Sequence, residues 1–273
     1  MEAIEFWKMN GSGNDFILID NREGVVAEGD KSRLVQRVCR RRESAGADGL
    51  IFLTNSDRYD FGWQYFNADG GEVDMCGNGT RCIARFAYLK GIAGIKMTFE
   101  TLTGPVSAEV MGRVVKVLMP APSNLQLDID LPREREWLTV DSINTGVPHV
   151  VVQVENLGDH PVVDQGRSIR YDPLFSPEGT NANFVKVHGL DLVETRTYER
   201  GVEDETLACG TGAIASALVA SARGMVASPV RVKTRGGEEL KIHFGKEGDR
   251  FKGIWLEGGT SIVYQAELHE EAV

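Results

Sequence analysis

One pattern occurs twice in this chain and constrains its fold more than any other feature. A cysteine precedes Gly-x-Gly, and an apolar, helix-forming run follows. The first copy is EVDMCGNGTRCIARFAYLKG at 72–91, and the second is ETLACGTGAIASALVASARG at 205–224. Their cysteines, Cys76 and Cys209, lie 133 residues apart in a chain of 273. Each run reaches a glycine 15 residues after its cysteine, Gly91 or Gly224, with a cation just before it, Lys90 or Arg223. A helix dipole favours positive charge at that end, and glycine suits the residue that leaves the helix.

The register extends beyond the two helices. NGSGNDFILID at Asn10 and NTGVPHVVVQV at Asn144 are offset by 134, and each gives a glycine turn followed by an apolar strand. TFETLTGPVSAEV at Thr98 and RVKTRGGEELKIHF at Arg231 are offset by 133, matching Thr101 to Thr234 and Gly104 to Gly237. Ordered matches at a nearly constant offset mark a duplication. The chain therefore reads as two similar domains of α/β class (α+β type), each with strands around one principal helix. Strand candidates are 4–8, 15–20, 49–53, 62–66, 96–101, 105–110 and 113–119 in the first half. In the second they are 148–154, 182–187, 193–199, 229–235, 238–243 and 253–257. A further helix is expected at 30–42. The stretch 120–136 holds three of the nine prolines and reads as the crossover. A last strand at 260–268 either extends the second domain or returns to the first. The expected domains are 1–120 plus 259–273, carrying Cys76, and 121–258, carrying Cys209.

Composition narrows the function. A formal net charge of −10 supplies no surface for nucleic acid. The RVCRRR cluster at 37–42 reads as a solvated helix face. The N-terminal segment lacks a basic n-region and an apolar h-region, so no signal peptide is expected. No stretch approaches the ~18 apolar residues that span a membrane. Four cysteines in such a chain point to reduced thiols in a cytosol. None forms C-x-x-C, and no His/Cys spacing resembles a zinc site, so no metal is expected. GTGAIA at Gly210 fits a dinucleotide fingerprint but lacks the acidic residue about 20 positions on. There is no phosphate loop.

A cysteine at a helix start sits among unpartnered backbone amides, where its thiol pKa is expected to fall. The glycines of CGNG and CGTG let the backbone approach a ligand, and the free amides suit an anion such as a carboxylate. Each half thus offers a base and half of an anion site. Two facing copies would place an amino acid's α-carbon between two sulfurs, one removing the proton and the other returning one to the opposite face. That is stereoinversion by two bases, needing no organic cofactor. Free cysteine is also among the most buried residue types, so packing is the competing account of one such site. Two sites at matching positions favour chemistry. Cys39 and Cys82, inside helix candidates, read as core thiols. A single-cysteine hydrolase pairing one nucleophile with His149 would leave the second CGxG without a purpose.

At these residues the chain resembles the diaminopimelate epimerase family. The resemblance runs through KMNGSGNDFILID near the start, ADGLI at 47–51, FNADGGEVDMCGNGTRC at 66–82, TGVPH at 145–149, NANFV at 181–185 and YERGVEDETLACGTGA at 198–213. It implies a cofactor-independent enzyme of lysine and peptidoglycan-precursor synthesis that interconverts LL- and meso-diaminopimelate. It also implies two pseudo-symmetric domains, each a mostly antiparallel curved sheet or barrel around a central helix, with the active site in the cleft between them. By the same resemblance Cys76 and Cys209 are the acid–base pair, and the backbone of Gly77, Asn78, Gly210 and Thr211 holds the reacting carboxylate. Asn14, Asn67, Asn181 and Arg200 grip the amino-acid groups, with Arg200 forking onto the distal carboxylate. Glu199 and His149 stand beside the thiols, tuning them or binding an ammonium. A cytoplasmic homodimer is implied as well.

Taken without the family, Asn14 and Asn67 are equally turn residues, Glu199 and Arg200 an exposed charged pair, and His149 a satisfied histidine. Two departures stand out. Val147 replaces the amide of the usual GNPH. The stretch ERGVEDETLAC is one residue longer than the common form and carries Glu203, Asp204 and Glu205, from which altered loop contacts are expected. Proline racemase or hydroxyproline epimerase chemistry would suit the same two-thiol fold, and an amino-acid or anion-binding protein would use the same helix ends without the thiols.

Overall fold

The computed structural model describes residues 4–73, 76–132, 137–248 and 250–272. Its internal contacts divide the chain into two units, Met1–Leu118 with Gly258–Val273, and Met119–Glu257. The last four residues of the expected 120–136 crossover lie outside the described residues.

In the first unit the strands are β1 (Ile4–Gly11), β2 (Asn14–Asp20), β3 (Gly49–Thr54), β4 (Phe61–Asn67), β5 (Glu72–Val73), β6 (Lys96–Thr101), β7 (Gly104–Met111) and β8 (Val114–Leu118). Helix α1 (Lys31–Val38) joins β2 to β3, and α2 (Gly77–Leu89) joins β5 to β6. β1 pairs antiparallel with β2, β2 parallel with β3, and β3 antiparallel with β4. β4 pairs antiparallel with β5 and parallel with β6, and a β6–β7–β8 meander follows. Both parallel pairings span a helix, as a parallel crossover requires.

The second unit repeats this plan. Its strands are β9 (Ser123–Pro132), β10 (Trp137–Asn144), β11 (Pro148–Gln153), β12 (Asn181–Val187), β13 (Leu192–Glu199), β14 (Asp204–Thr206), β15 (Val230–Lys233), β16 (Glu239–Glu247) and β17 (Arg250–Gly259). Helix α3 (Val162–Arg170) fills the β11–β12 crossover, and α4 (Gly210–Ala222) joins β14 to β15. β10–β11 is antiparallel, β11–β12 parallel, β12–β13 and β13–β14 antiparallel, β13–β15 parallel, and β15–β16–β17 a meander. β9 flanks β10. The corresponding place beside β1 is taken by the chain's last strand, β18 (Ser261–Leu268), so of the two positions open to 260–268 the strand takes the one in the first unit.

Each unit is built around its cysteine-led helix. α2 packs on β1, β2, β3, β7 and β8 through Cys82, Ile83, Ala84, Phe86 and Ala87. α4 packs on β10–β13, β15 and β16, and every residue from Gly212 to Ser221 is buried. A helix enclosed on all sides must be apolar or small on every face, which accounts for its run of alanines with Ile214, Leu218 and Val219. α1 and α3 cover the opposite sheet faces, α1 over Ile17, Ile19, Leu50 and Phe52, and α3 over Val150, Val152, Ala182 and Phe184.

Several elements differ from expectation. The helix placed at 30–42 ends at Val38, with Cys39 as its C-cap. Gly46 and Ala47 turn back to the carbonyls of Val38 and Cys39, so Arg40–Arg42 lie beyond the helix, not on a helix face. Arg41 instead forks onto Asp15 and reaches Asp48. The proline-bearing crossover holds a ten-residue strand, β9, in which Leu125, Leu127, Ile129 and Leu131 alternate with polar residues, a pattern the neighbouring prolines obscured. α3 is unforeseen because Gly166 interrupts its pattern; a Cβ there would meet Tyr198 Cβ at 2.3 Å. Among the described residues no helix is long and apolar enough to cross a membrane.

Candidate active site

In the first unit Cys76 is the N-cap of α2, with extended backbone, and its sulfur accepts the Gly79 amide at 3.4 Å. A Cβ on Gly79 would stand 3.1 Å from Ile51 Cδ1 of β3, so the second glycine of CGNG is what allows the helix start to approach the sheet. Asn78 bridges outward. Its Nδ2 donates to Asn14 Oδ1 at 2.6 Å, and its Oδ1 accepts from the fully buried Arg81 at 3.0 Å. Asn14 in turn donates to Asp48 at 3.1 Å. The turn carrying Asn14 is pinned by Asp15, which pairs with Lys8 at 2.8 Å and with Arg41 at 2.5 Å. Burial alone would raise the Asp15 pKa, but Arg41 and Lys8 outweigh it and hold the carboxyl down to about 2.

Asn67 is exposed at the end of β4 and accepts from the Tyr65 hydroxyl at 2.8 Å. Burial first, and then the charge of the Cys76 sulfur, raise the Tyr65 phenol above its usual range. Gly49 makes room for the Tyr65 ring, since a Cβ there would meet Tyr65 Cε2 at 2.5 Å.

In the second unit Cys209 is the N-cap of α4 in the same conformation, and its sulfur accepts the Gly212 amide at 3.4 Å. The Thr211 hydroxyl lies 3.5 Å from the same sulfur, so the side chain at the second helical position is turned on the thiol itself. Glu199, at the end of β13, accepts from Thr206 at 2.8 Å and is near enough for its charge to act on Cys209. Burial raises the Glu199 carboxyl. The expected depression of the thiol pKa does not hold for Cys209: burial, reinforced by the Glu199 charge, pushes it up to about 12 against the pull of the helix amides. Desolvation outweighs the dipole because the sulfur is buried, not at a solvent-facing helix end.

Asn181 is buried and occupied at both ends, donating to the Pro148 carbonyl and accepting the Arg200 amide, each at 2.9 Å. It thereby fixes the backbone of Arg200, whose guanidinium reaches the Glu178 carbonyl at 3.2 Å. Glu199 and Arg200 do not pair with each other in the bonds described. His149 is buried on β11, bonded to Asn183, and burial with the Arg200 charge pushes it down to about 3. The acids of the longer stretch are anchored: Glu203 to Arg170 at 3.1 Å, and Glu205 to Arg196 by two bonds of 2.7 Å. Thr145 donates to the Thr211 carbonyl at 3.0 Å, which ties the turn carrying Val147 to the start of α4. Cys39 and Cys82 are core thiols, and burial pushes Cys39 up to about 12.

The first unit therefore brings together Cys76, Gly77, Asn78, Asn14 and Asn67. The second brings together Cys209, Gly210, Thr211, Glu199, Asn181, Arg200 and His149. Sequence reasoning passed over Tyr65 and Asn183. Alternation along a strand was the available signal: Tyr65 shares a face of β4 with Asn67, and Asn183 shares a face of β12 with Asn181. Among the described residues no group of His, Cys, Asp or Glu is arranged to hold a metal.

The family model for diaminopimelate epimerase matches residues 6–124 and 142–261. The diaminopimelate epimerase of Aquifex aeolicus is 46% identical, over 99% of both chains. That of Archaeoglobus fulgidus is 44% identical, over 97% of this chain and 96% of its own. Among solved structures, a PhzF-family phenazine biosynthesis protein of Bacillus anthracis superposes with a TM-score of 0.73 at 16% identity, covering 98% of this chain and 100% of that one. A hydroxyproline epimerase of Agrobacterium vitis gives 0.69 at 15% identity, covering 98% and 93%. At such identity these two establish the fold alone.

Proposed function

The chain belongs to the diaminopimelate epimerase family, and we propose that it interconverts LL- and meso-diaminopimelate with Cys76 and Cys209 as the two bases. The observation that carries this reading is the twin N-cap: two sulfurs, each at the start of a 13-residue helix and each accepting the third helical amide at 3.4 Å. In the reaction one thiolate takes the α-proton, forming S–H as Cα–H breaks, and the electron pair spreads into the substrate's own carboxylate. The other cysteine gives its S–H proton to the opposite face. The two sulfurs end with exchanged protonation states and the carbon is inverted. The electron sink is the substrate, so the scheme calls on no organic cofactor or metal.

A thiol pushed up to about 12 is a strong base once ionised, and Cys209 then reaches its thiolate by exchange with bound substrate more readily than with water. In this reading the helix-start amides at Gly77, Asn78, Gly210 and Thr211 hold the reacting carboxylate. Asn14, Asn67 and Arg200 read the remaining groups of a substrate with two amino-acid heads, and Asn181 braces Arg200. The same reading makes the protein a cytoplasmic homodimer in lysine biosynthesis. The test is a substrate panel: purified protein, reduced and without pyridoxal phosphate, with LL-diaminopimelate, L-proline or trans-4-hydroxy-L-proline, and isomers resolved by chiral chromatography. Conversion of diaminopimelate alone supports the reading. Conversion of a proline keeps the thiol chemistry and overturns the substrate.

A further inference from the structure

The polar trio His149, Asn183 and Thr197 lies in the core of the second unit, and each member is nearly inaccessible. Strand register gives the first-unit counterparts. His149 pairs with Asn181 as Phe16 pairs with Gly49, and Asn183 pairs with Thr197 as Ile51 pairs with Tyr65. Where one repeat packs Phe16 and Ile51, the other buries an imidazole and an amide. The fold itself therefore does not need polar groups at these positions.

The hydrogen bonds of Asn183 determine the state of the ring. One terminal atom of its side chain lies 2.8 Å from the Val150 carbonyl, which can only accept, so that atom is the amide nitrogen. The other terminal atom is the oxygen, and it accepts the Thr197 hydroxyl at 2.9 Å. The nitrogen has a second hydrogen, and His149 Nδ1 lies 3.1 Å away. An N–H can bond only to an unprotonated ring nitrogen, so Nδ1 carries a lone pair and the proton of the neutral ring sits on Nε2. His149 Nε2 is buried with no hydrogen-bond partner among the described residues. A buried donor left this way is destabilising, and a ligand acceptor would relieve it. Burial and the charge of Arg200 keep the ring neutral. Asn183 is held against the cysteine-led helix, because a Cβ on Gly212 would stand 2.4 Å from its Oδ1 and 3.3 Å from the Cys209 sulfur.

We propose that Asn183 is a positioning residue that holds His149 in the Nε2–H tautomer, making the imidazole a hydrogen-bond donor to a carboxylate oxygen of the bound amino acid and not a proton-removing base. The tautomer stands on the geometry alone, whereas the ligand rests on the epimerase reading. The assignment excludes the expected role of His149 as a site for an ammonium, since two donors repel.

Two-bond ¹⁵N–¹H spectra of the histidine-labelled full chain test it, with His149 assigned by its loss in His149→Gln. The expected pattern is a pyrrole-type Nε2 and a pyridine-type Nδ1, unchanged through the pH range in which an ordinary histidine titrates. Added LL-diaminopimelate should move the Nε2 proton to lower field. In Asn183→Asp the carboxylate should draw the proton to Nδ1, inverting the pattern, and kcat/KM should fall about 10²-fold, as for loss of one preorganised donor. An Nδ1–H tautomer or an ordinary titration in the unmodified protein overturns the proposal without recourse to any variant. An Asn183→Asp protein with the Nε2–H pattern and full activity overturns it as well. If diaminopimelate shifts other resonances but not Nε2, the donor role alone is wrong. If it shifts none, the epimerase reading fails and the donor role with it.

Discussion

Two influences compete at the sulfur of Cys209: helix-start amides that favour thiolate, and burial with the Glu199 charge that favour thiol, the second being stronger. Replacing Glu199 with glutamine removes the charge and keeps an acceptor for Thr206, so thiolate should form more readily. Iodoacetamide should then alkylate Cys209 about three- to tenfold faster near neutral pH, as read by mass spectrometry of its peptide. An unchanged or slower rate would contradict the placement of Glu199. His149 makes a separate prediction for stability. Its pKa is lowered from 6.5 to about 3, so between those values the unfolded chain binds a proton that the native state refuses. Stability is therefore complete above the unfolded value and is lost as pH falls through this window. The urea midpoint should drop between about pH 7 and about pH 5, and His149→Gln should make that drop smaller; an equal drop in both proteins would count against a buried neutral ring. At this scale the sequence disclosed the two cysteines, which are marked by repetition. It disclosed Asn183 poorly, because alternation with Asn181 gives a shared strand face but not the partners on β11 and β13 that define its role.

The two cysteine-led helices are built alike from end to end. Each begins with a sulfur cap and closes with the same pair of bonds, Gly91 to Tyr88 and Ile92 to Ala87 in α2, and Gly224 to Ser221 and Met225 to Ala220 in α4. Gly91 and Gly224 take φ of 70° and 73°, a conformation that favours glycine. These ends were legible because caps are local chemistry. The N-terminal glycines answer instead to the sheet beneath them, and unequally: Gly212 faces a buried amide oxygen at 2.4 Å, and Gly79 the tip of Ile51 at 3.1 Å. We therefore expect Gly212→Ala to lose about 2–3 kcal/mol and Gly79→Ala about 1 kcal/mol in urea unfolding; the reverse order would contradict this account of the helix starts. β9 and α3 escaped the sequence reading for different reasons. α3 is defined by its fit to Tyr198, which local periodicity does not write, whereas β9 does alternate apolar Leu125, Leu127, Ile129 and Leu131 and was passed over because the prolines around it read as a crossover.

Across the whole chain, duplication was the strongest signal in the sequence, and strand pairing repeats it register for register. The exceptions to the repeat are informative. Phe16, Ile51 and Tyr65 stand where the second unit has His149, Asn183 and Thr197, so the two halves share a scaffold but surround their sulfurs with different chemistry. The placement of β18 beside β1 also belongs to this scale, since a strand of exposed residues at the chain's end gives no local indication of its partner. Removing 261–273 should expose the free edge of β1 and lower the thermal midpoint by several degrees, on the order of 2–4 °C per kcal/mol lost in a chain of this size; an unchanged midpoint would show that β18 contributes nothing to the first unit.

The central claim is that two thiols divide one proton transfer, and proton NMR of LL-diaminopimelate in deuterated, thiol-reduced buffer tests it most directly. The unmodified protein should erase the α-proton signal at the reacting carbon while meso isomer accumulates. Cys76→Ala and Cys209→Ala, each folded by circular dichroism, should both fail to form the meso isomer. Full epimerisation by either variant, or no exchange by the folded unmodified protein, would contradict the account.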